Sequence, residues 1–195
     1  MSEFLYDSQN RLIEMSVGSN HFIVEYGLDN RISKFINALY YSDTFEITYP
    51  TPYTVVATKT FQGVGRTMDS LFFDANYSLV RSTIWSQSIG GPQILKSNSE
   101  MIYNPALRNP YYTSALQDFY LLQEISGYPH EFTEVSGPHL LIKRKTWEGG
   151  PPVVINEMTS RIVNQDNNVV HIQYRRSAGP GDVLDYERNY VYGCE

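Results

Sequence analysis

Two heptapeptides decide the reading: Tyr6-Asp7-Ser8-Gln9-Asn10-Arg11-Leu12 and, 20 residues on, Tyr26-Gly27-Leu28-Asp29-Asn30-Arg31-Ile32. Tyr6 matches Tyr26, Asn10 matches Asn30, Arg11 matches Arg31 and Leu12 matches Ile32. In each, an aromatic closes one extended run, a polar turn reverses the chain, and an aliphatic residue opens the next run. Asn, Asp and Gly tolerate the left-handed conformations that tight reversals need. Fainter copies lie at Phe73-Asp74-Ala75-Asn76-Tyr77-Ser78-Leu79 and at Asp166-Asn167-Asn168-Val169. A repeat of this length is one hairpin, which cannot bury its own apolar face and must stack with others.

Outward from these copies, apolar and polar residues alternate with period two, the signature of half-buried strands. Phe22, Val24 and Tyr26 fall on one face, His21 and Glu25 on the other; Phe45, Ile47 and Tyr49 alternate with Thr44, Glu46 and Thr48. Val170, Ile172 and Tyr174 repeat the pattern near the end, and Tyr186, Arg188, Tyr190 and Tyr192 share a face of the last strand. Strands joined by turns this short are antiparallel neighbours, so the topology is a meander. Tyr49-Pro50-Thr51-Pro52, Gly90-Gly91-Pro92 and Gly149-Gly150-Pro151-Pro152 read as corners, because strand patterns resume directly after each. The run from Thr113 to Ser126 differs. It has an N-cap candidate at Thr113 or Ser114, Leu116, Phe119 and Tyr120 at helical spacing, and Gly127 as a stop. The expectation is an all-β fold of roughly a dozen strands, a meander forming one twisted sheet or two packed sheets with one short helical insertion. Residues 1–195 form a single β-rich domain, any sub-division falling near 90–112.

The repeat resembles the YD repeat, the Tyr-Asp-x-x-Gly-Arg-Leu hairpin of Rhs and teneurin proteins. Asn10 and Asn30 stand where that pattern has glycine, a replacement a left-handed position accepts. Only the first copy holds both the Tyr-Asp and the Arg-Leu pairs, and the likeness covers about a third of the chain. Tyr6 to Leu12, Asn109-Pro110-Tyr111-Tyr112 and Tyr186 to Tyr192 together resemble uncharacterised lipoproteins of Bacteroidetes-type bacteria. That likeness implies an extracytoplasmic place, periplasmic or cell-surface, and a membrane association only through a lipid anchor. The chain starts inside a strand pattern, so an export signal and lipidated cysteine are expected to have been removed.

Composition narrows the function classes. Tyrosine dominates the aromatics, with 16 Tyr against 9 Phe and 2 Trp, which suits a sheet face with packed rings and wetted hydroxyls. Net charge is −6, the wrong sign for neutralising phosphates, so nucleic acid is not an expected partner. Cys194 is the single cysteine, which excludes an internal disulfide or a cysteine metal cage.

No motif demands a catalytic residue or a cofactor. Gly63-Val64-Gly65-Arg66 lacks the Lys-Ser/Thr of a phosphate loop and reads as a hairpin turn. His130, Glu131, Glu134 and His139 are the one cluster of potential metal ligands, at a spacing that matches no zincin or zinc finger. Ordinary loop polarity is the favoured reading there. Lys143-Arg144-Lys145, between Leu140-Leu141-Ile142 and Trp147, reads as an edge strand charged against aggregation, ahead of a basic aromatic patch. Trp85, Trp147, Tyr111 and Tyr112 lie near loops or strand ends, where exposed rings stack on sugars or anchor a protein. The sequence therefore favours a non-enzymatic module binding a glycan or protein, or a scaffold. The rivals are a hydrolase using paired carboxylates or a metal near His130 to His139, and a periplasmic lipid or lipoprotein carrier.

Overall fold

The computed structural model describes residues 2–17, 20–38, 44–108, 121–122, 125, 138–147, 152–163, 169–177 and 183–189. Thirteen strands follow in chain order among them: β1 (Ser2–Tyr6), β2 (Leu12–Val17), β3 (Asn20–Tyr26), β4 (Ile32–Asn37), β5 (Thr44–Thr51), β6 (Thr54–Phe61), β7 (Gly65–Phe73), β8 (Leu79–Ser88), β9 (Gln93–Arg108), β10 (His139–Trp147), β11 (Pro152–Val163), β12 (Val169–Ser177) and β13 (Val183–Asn189). They form one antiparallel sheet in which neighbours in sequence are neighbours in space. The sheet is open, with β1 at one edge and β13 at the other. The meander is thus the entire topology, and one sheet rather than two is what the chain builds. Of the stretch read as helical, Leu121, Leu122 and Ile125 are helical and the rest lies outside the described residues.

A meander places every odd-to-even connection at one end of the sheet, here the repeat end. Three turns there share one device. The N–H of Asp7 donates to the Arg11 carbonyl at 2.9 Å, that of Gly27 to Arg31 at 2.8 Å, and that of Asp74 to Ser78 at 2.9 Å. Asn10, Asn30 and Tyr77 hold the left-handed position, with φ of 60°, 63° and 59°. Tyr6 pairs with Leu12, Tyr26 with Ile32 and Phe73 with Leu79, so Ile13, Ser33 and Val80 are left over as bulges. The extra residue lets Leu12 and Met15, three apart, both face the core; Ile32 and Phe35 do the same. The β11–β12 hairpin carries the same shift, with Ile162 opposite His171 and Val163 opposite Val169. Its turn, where the faintest copy of the repeat falls, lies outside the described residues.

One face of the sheet holds the core. A single cluster runs from Leu12 and Met15 through Phe22, Phe35, Ile47, Ala57 and Leu71 to Met101 and Leu141, and Leu122 and Ile125 join it. Phe35 is fully buried, its ring stacked on Phe22 at 4.7 Å and tilted against Phe45 at 5.9 Å. A smaller cluster of Leu107, Leu140, Ile172 and Tyr174 serves the later strands. Tyrosine hydroxyls tie hairpins together: Tyr26 donates to the Leu12 carbonyl, Tyr103 to Leu79 and Tyr174 to Leu141, at 3.0, 2.7 and 3.2 Å. The guanidinium of Arg11 lies 4.6 Å from the centre of the Tyr26 ring, and that of Arg31 lies 5.0 Å from Tyr49.

One expectation fails. Lys143-Arg144-Lys145 is not on an edge, since β10 lies between β9 and β11. Its charges are answered across the ladder instead: Lys143 Nζ meets Glu157 at 2.8 Å, and Arg144 donates to Ser99 Oγ at 3.5 Å. A run of charge can guard an edge or complement neighbouring strands, and only the pairing partners distinguish the two.

Candidate functional site

Strand register sorts side chains onto two faces. Ser82 and Ser99 pair and are buried on the core face, so Thr83, Trp85 and Asn98 point to the opposite, outer face. Trp147 pairs with Asn98, which puts it on that outer face as well. Trp85 sits between Met68 and Leu95, and Trp147 lies two strands over, one pleat repeat along. Strand spacing and rise place the two tryptophan Cα atoms about 12 Å apart. Both side chains are half-buried, and Leu95 beside Trp85 is exposed. The next row of the outer face is charged: Arg81, Glu100 and Lys145 stand side by side, with Arg81 lying 4.0 Å from the centre of the Phe72 ring. Asn98, between Thr83 and Trp147, has a buried Oδ1 with no hydrogen-bond partner among the described residues. The arrangement is two tryptophans one pleat repeat apart, Trp85 within β8 and Trp147 at the end of β10, beside a row of charged side chains.

Of the other residues read from the sequence, Tyr111, Tyr112, His130, Glu131 and Glu134 lie outside the described residues. His139 opens β10, opposite Arg108, and its Nδ1 is buried with no hydrogen-bond partner among the described residues. No group of three His, Cys, Asp or Glu placed to hold a metal occurs among the described residues. The Gly63-Val64-Gly65-Arg66 segment closes the β6–β7 hairpin, as expected, with Gly63 and Val64 in the turn and Gly65 and Arg66 opening β7. Between that turn and the β8–β9 turn lies an open cleft of about 330 Å³, bounded by Phe61, Gly63, Arg66, Gln87 and Ile89. Arg66 Nε donates to Gln87 Oε1 at 3.0 Å across its floor.

A second aromatic pair was not singled out in the sequence. At the repeat end, Tyr53 of the β5–β6 turn and Tyr77 of the β7–β8 turn bring their rings to 5.6 Å, inclined by 53°. They are 42% and 45% exposed. The signal for them was present: Tyr77 stands where the sister turns have Asn10 and Asn30. A bulky side chain in the left-handed region is an outlier that Asn or Gly would avoid.

No protein-family model matches the chain, and no curated protein matches it significantly. Among solved structures it is similar to a porin-like protein from Bacteroides vulgatus, with a TM-score of 0.41 and 10% identity. That alignment covers 98% of this chain and 92% of the other.

Proposed function

We propose that this protein is a non-enzymatic, extracytoplasmic binding module that takes a glycan or protein partner on the outer face of its sheet. The observation that carries the reading is that Trp85 and Trp147 share the face opposite the main core cluster, about 12 Å apart, on interior strands of the ladder. Rings fixed on a rigid sheet lose little entropy on binding, and the charged row beside them supplies hydrogen bonds. The hairpin repeat supports a YD-repeat-like scaffold, and its likeness to Bacteroidetes-type lipoproteins supports a periplasmic or surface location through a lipid anchor.

The chain has only two tryptophans, so its intrinsic indole fluorescence reports on this face alone. Titration with soluble glycans and with candidate surface proteins is expected to shift or quench that emission. Trp85→Ala and Trp147→Ala should each weaken binding about tenfold, the worth of one aromatic contact. A ligand that binds with unchanged emission and unchanged affinity for both variants would remove the outer face from the proposal. Protease shaving of intact native cells carrying the full-length gene tests the location, and an unprocessed cytoplasmic protein would overturn it.

A further inference from the structure

We infer that the open edge of β1 is a docking site for a partner strand that opens on an Arg-Leu or Arg-Ile pair, as the chain's own repeat hairpins do. The first two hairpins show how such units join. The β1–β2 hairpin presents Arg11 and Leu12 to the β3–β4 hairpin, where three groups receive them. The guanidinium of Arg11 lies 4.6 Å from the centre of the Tyr26 ring, and its Nη1 donates to Asn30 Oδ1 at 2.9 Å. The Tyr26 hydroxyl donates to the Leu12 carbonyl at 3.0 Å. Parts of the same joint recur further along. Arg31 lies 5.0 Å from the Tyr49 ring, and Tyr103 donates to the carbonyl of Leu79, which opens β8 as Leu12 opens β2.

The first hairpin carries the same three receiving groups, and β1 is the edge of the sheet. Tyr6 pairs with Leu12 as Tyr26 pairs with Ile32, and Asn10 holds the left-handed position as Asn30 does. Tyr26 packs on the main core cluster, whereas Tyr6 is 41% exposed. Among the described residues the Tyr6 ring has no cation or ring against it, and neither its hydroxyl nor the Asn10 amide has a hydrogen-bond partner. Folded proteins blunt open edges with Lys, Pro or bulges. β1 reads Ser2-Glu3-Phe4-Leu5-Tyr6, without Lys or Pro, and Leu5 is 55% exposed. The opposite edge, β13, carries Asp185, Glu187 and Arg188. A second copy of the sheet does not supply the missing pair. The chain's own Arg-Leu and Arg-Ile pairs, at 11–12, 31–32 and 161–162, all lie on or beside interior strands. The occupant is therefore a strand of another polypeptide. Its guanidinium stacks on Tyr6 and donates to Asn10, its aliphatic residue's carbonyl accepts from the Tyr6 hydroxyl, and main-chain bonds extend the ladder.

The probe is a synthetic peptide of residues 28–37, Leu-Asp-Asn-Arg-Ile-Ser-Lys-Phe-Ile-Asn, which is β4 with its Arg-Ile opening. The full chain is titrated with it by calorimetry, and hydrogen exchange is read strand by strand in the complex. Binding is expected, with β1 amides gaining protection and β13 unchanged. Arg31→Ala in the peptide, and Tyr6→Phe or Asn10→Gly in the chain, should each weaken binding about three- to tenfold. Tyr6→Phe removes only the hydroxyl and Asn10→Gly keeps the left-handed turn, so neither depends on a damaged fold. Trp85→Ala, on the outer face, should leave the affinity unchanged, which separates this edge from the glycan or protein site proposed there. Absence of binding by the wild-type chain overturns the inference, as does equal affinity for the Arg31→Ala peptide. Equal protection of β13 would reduce the effect to unspecific edge pairing, and loss of binding in Trp85→Ala would move the peptide to the outer face; either result overturns it. Self-association of the wild-type chain that protects β1 would make the occupant a second copy and overturn it too.

Discussion

Asp7 shows how much one side chain organises in this fold. Its Oδ1 accepts from the N–H groups of Gln9 and Arg11, and its Oδ2 from Arg11 Nε at 2.7 Å. The Arg11 backbone N–H, then the Arg11 side chain, hold the carboxyl below its ordinary value of 3.8. Asp185 is lowered likewise by its hydrogen bonds from Arg175. A carboxyl with a depressed folded-state value stabilises the fold fully above its unfolded value. That contribution is lost as pH falls through the folded value. Stability should therefore decline below about pH 4, and Asp7→Asn should flatten part of that acid limb in pH-dependent unfolding. An acid limb unchanged in Asp7→Asn would mean that the turn draws nothing from the charge. Asp7, Asn10 and Arg11 are legible in the sequence because the turn they close is local, although Arg11 also reaches Tyr26 and Asn30 of the next hairpin. Tyr77 falls in a faint copy of the repeat, but its neighbour Tyr53 is 24 residues away and no spacing rule joins them.

At the scale of elements, the hairpin is the unit, and its bulge lets neighbouring hairpins share a core. Alternation alone would send Leu12 and Met15 to opposite faces; the unpaired Ile13 brings them together. Periodicity reads strands well and bulges badly, since a bulge is a single-residue break in the pattern it would be read from. The opposite end of the sheet depends on a different residue. Gly65 has φ +153°, and a Cβ there would collide with the Gln87 carbonyl and approach Ser88 Cα at 2.9 Å. Gly65 sits in the ladder between Phe61 and Ser88, so nothing nearby can yield cheaply. Gly65→Ala is expected to cost about 2 kcal/mol or more. Gly63→Ala, at φ +73° with open space around it, should cost only about 1 kcal/mol. Denaturant unfolding of the two variants orders them, and equal costs would refute the close approach of β7 and β8.

The described residues form one open sheet whose principal core cluster runs from β2 to β10, so each strand's apolar side chains are packed in a layer continuous with its neighbours'. Phe35 lies within that cluster, stacked on Phe22. Phe35→Ala should destabilise by about 3–5 kcal/mol, because the rings around it cannot close the space. Hydrogen exchange should show that loss across β2 to β10 rather than in β4 alone. Loss confined to one hairpin would mean that each unit is stable by itself, contrary to the shared core. The face opposite that cluster carries Trp85 and Trp147, one pleat repeat apart along the strands.

The sequence by itself determined the strand-turn-strand unit, the meander and the all-β class, because alternation, left-handed turn residues and short connections act within a few residues of one another. Only the tertiary structure decided that the strands make one open sheet, that β10 is interior, and which side chains come together. The placing of Trp85 and Trp147 on one face, and the contact of Tyr53 with Tyr77, depend on register summed over several strands. Each bulge shifts that sum by one residue, and one residue moves a side chain to the other face.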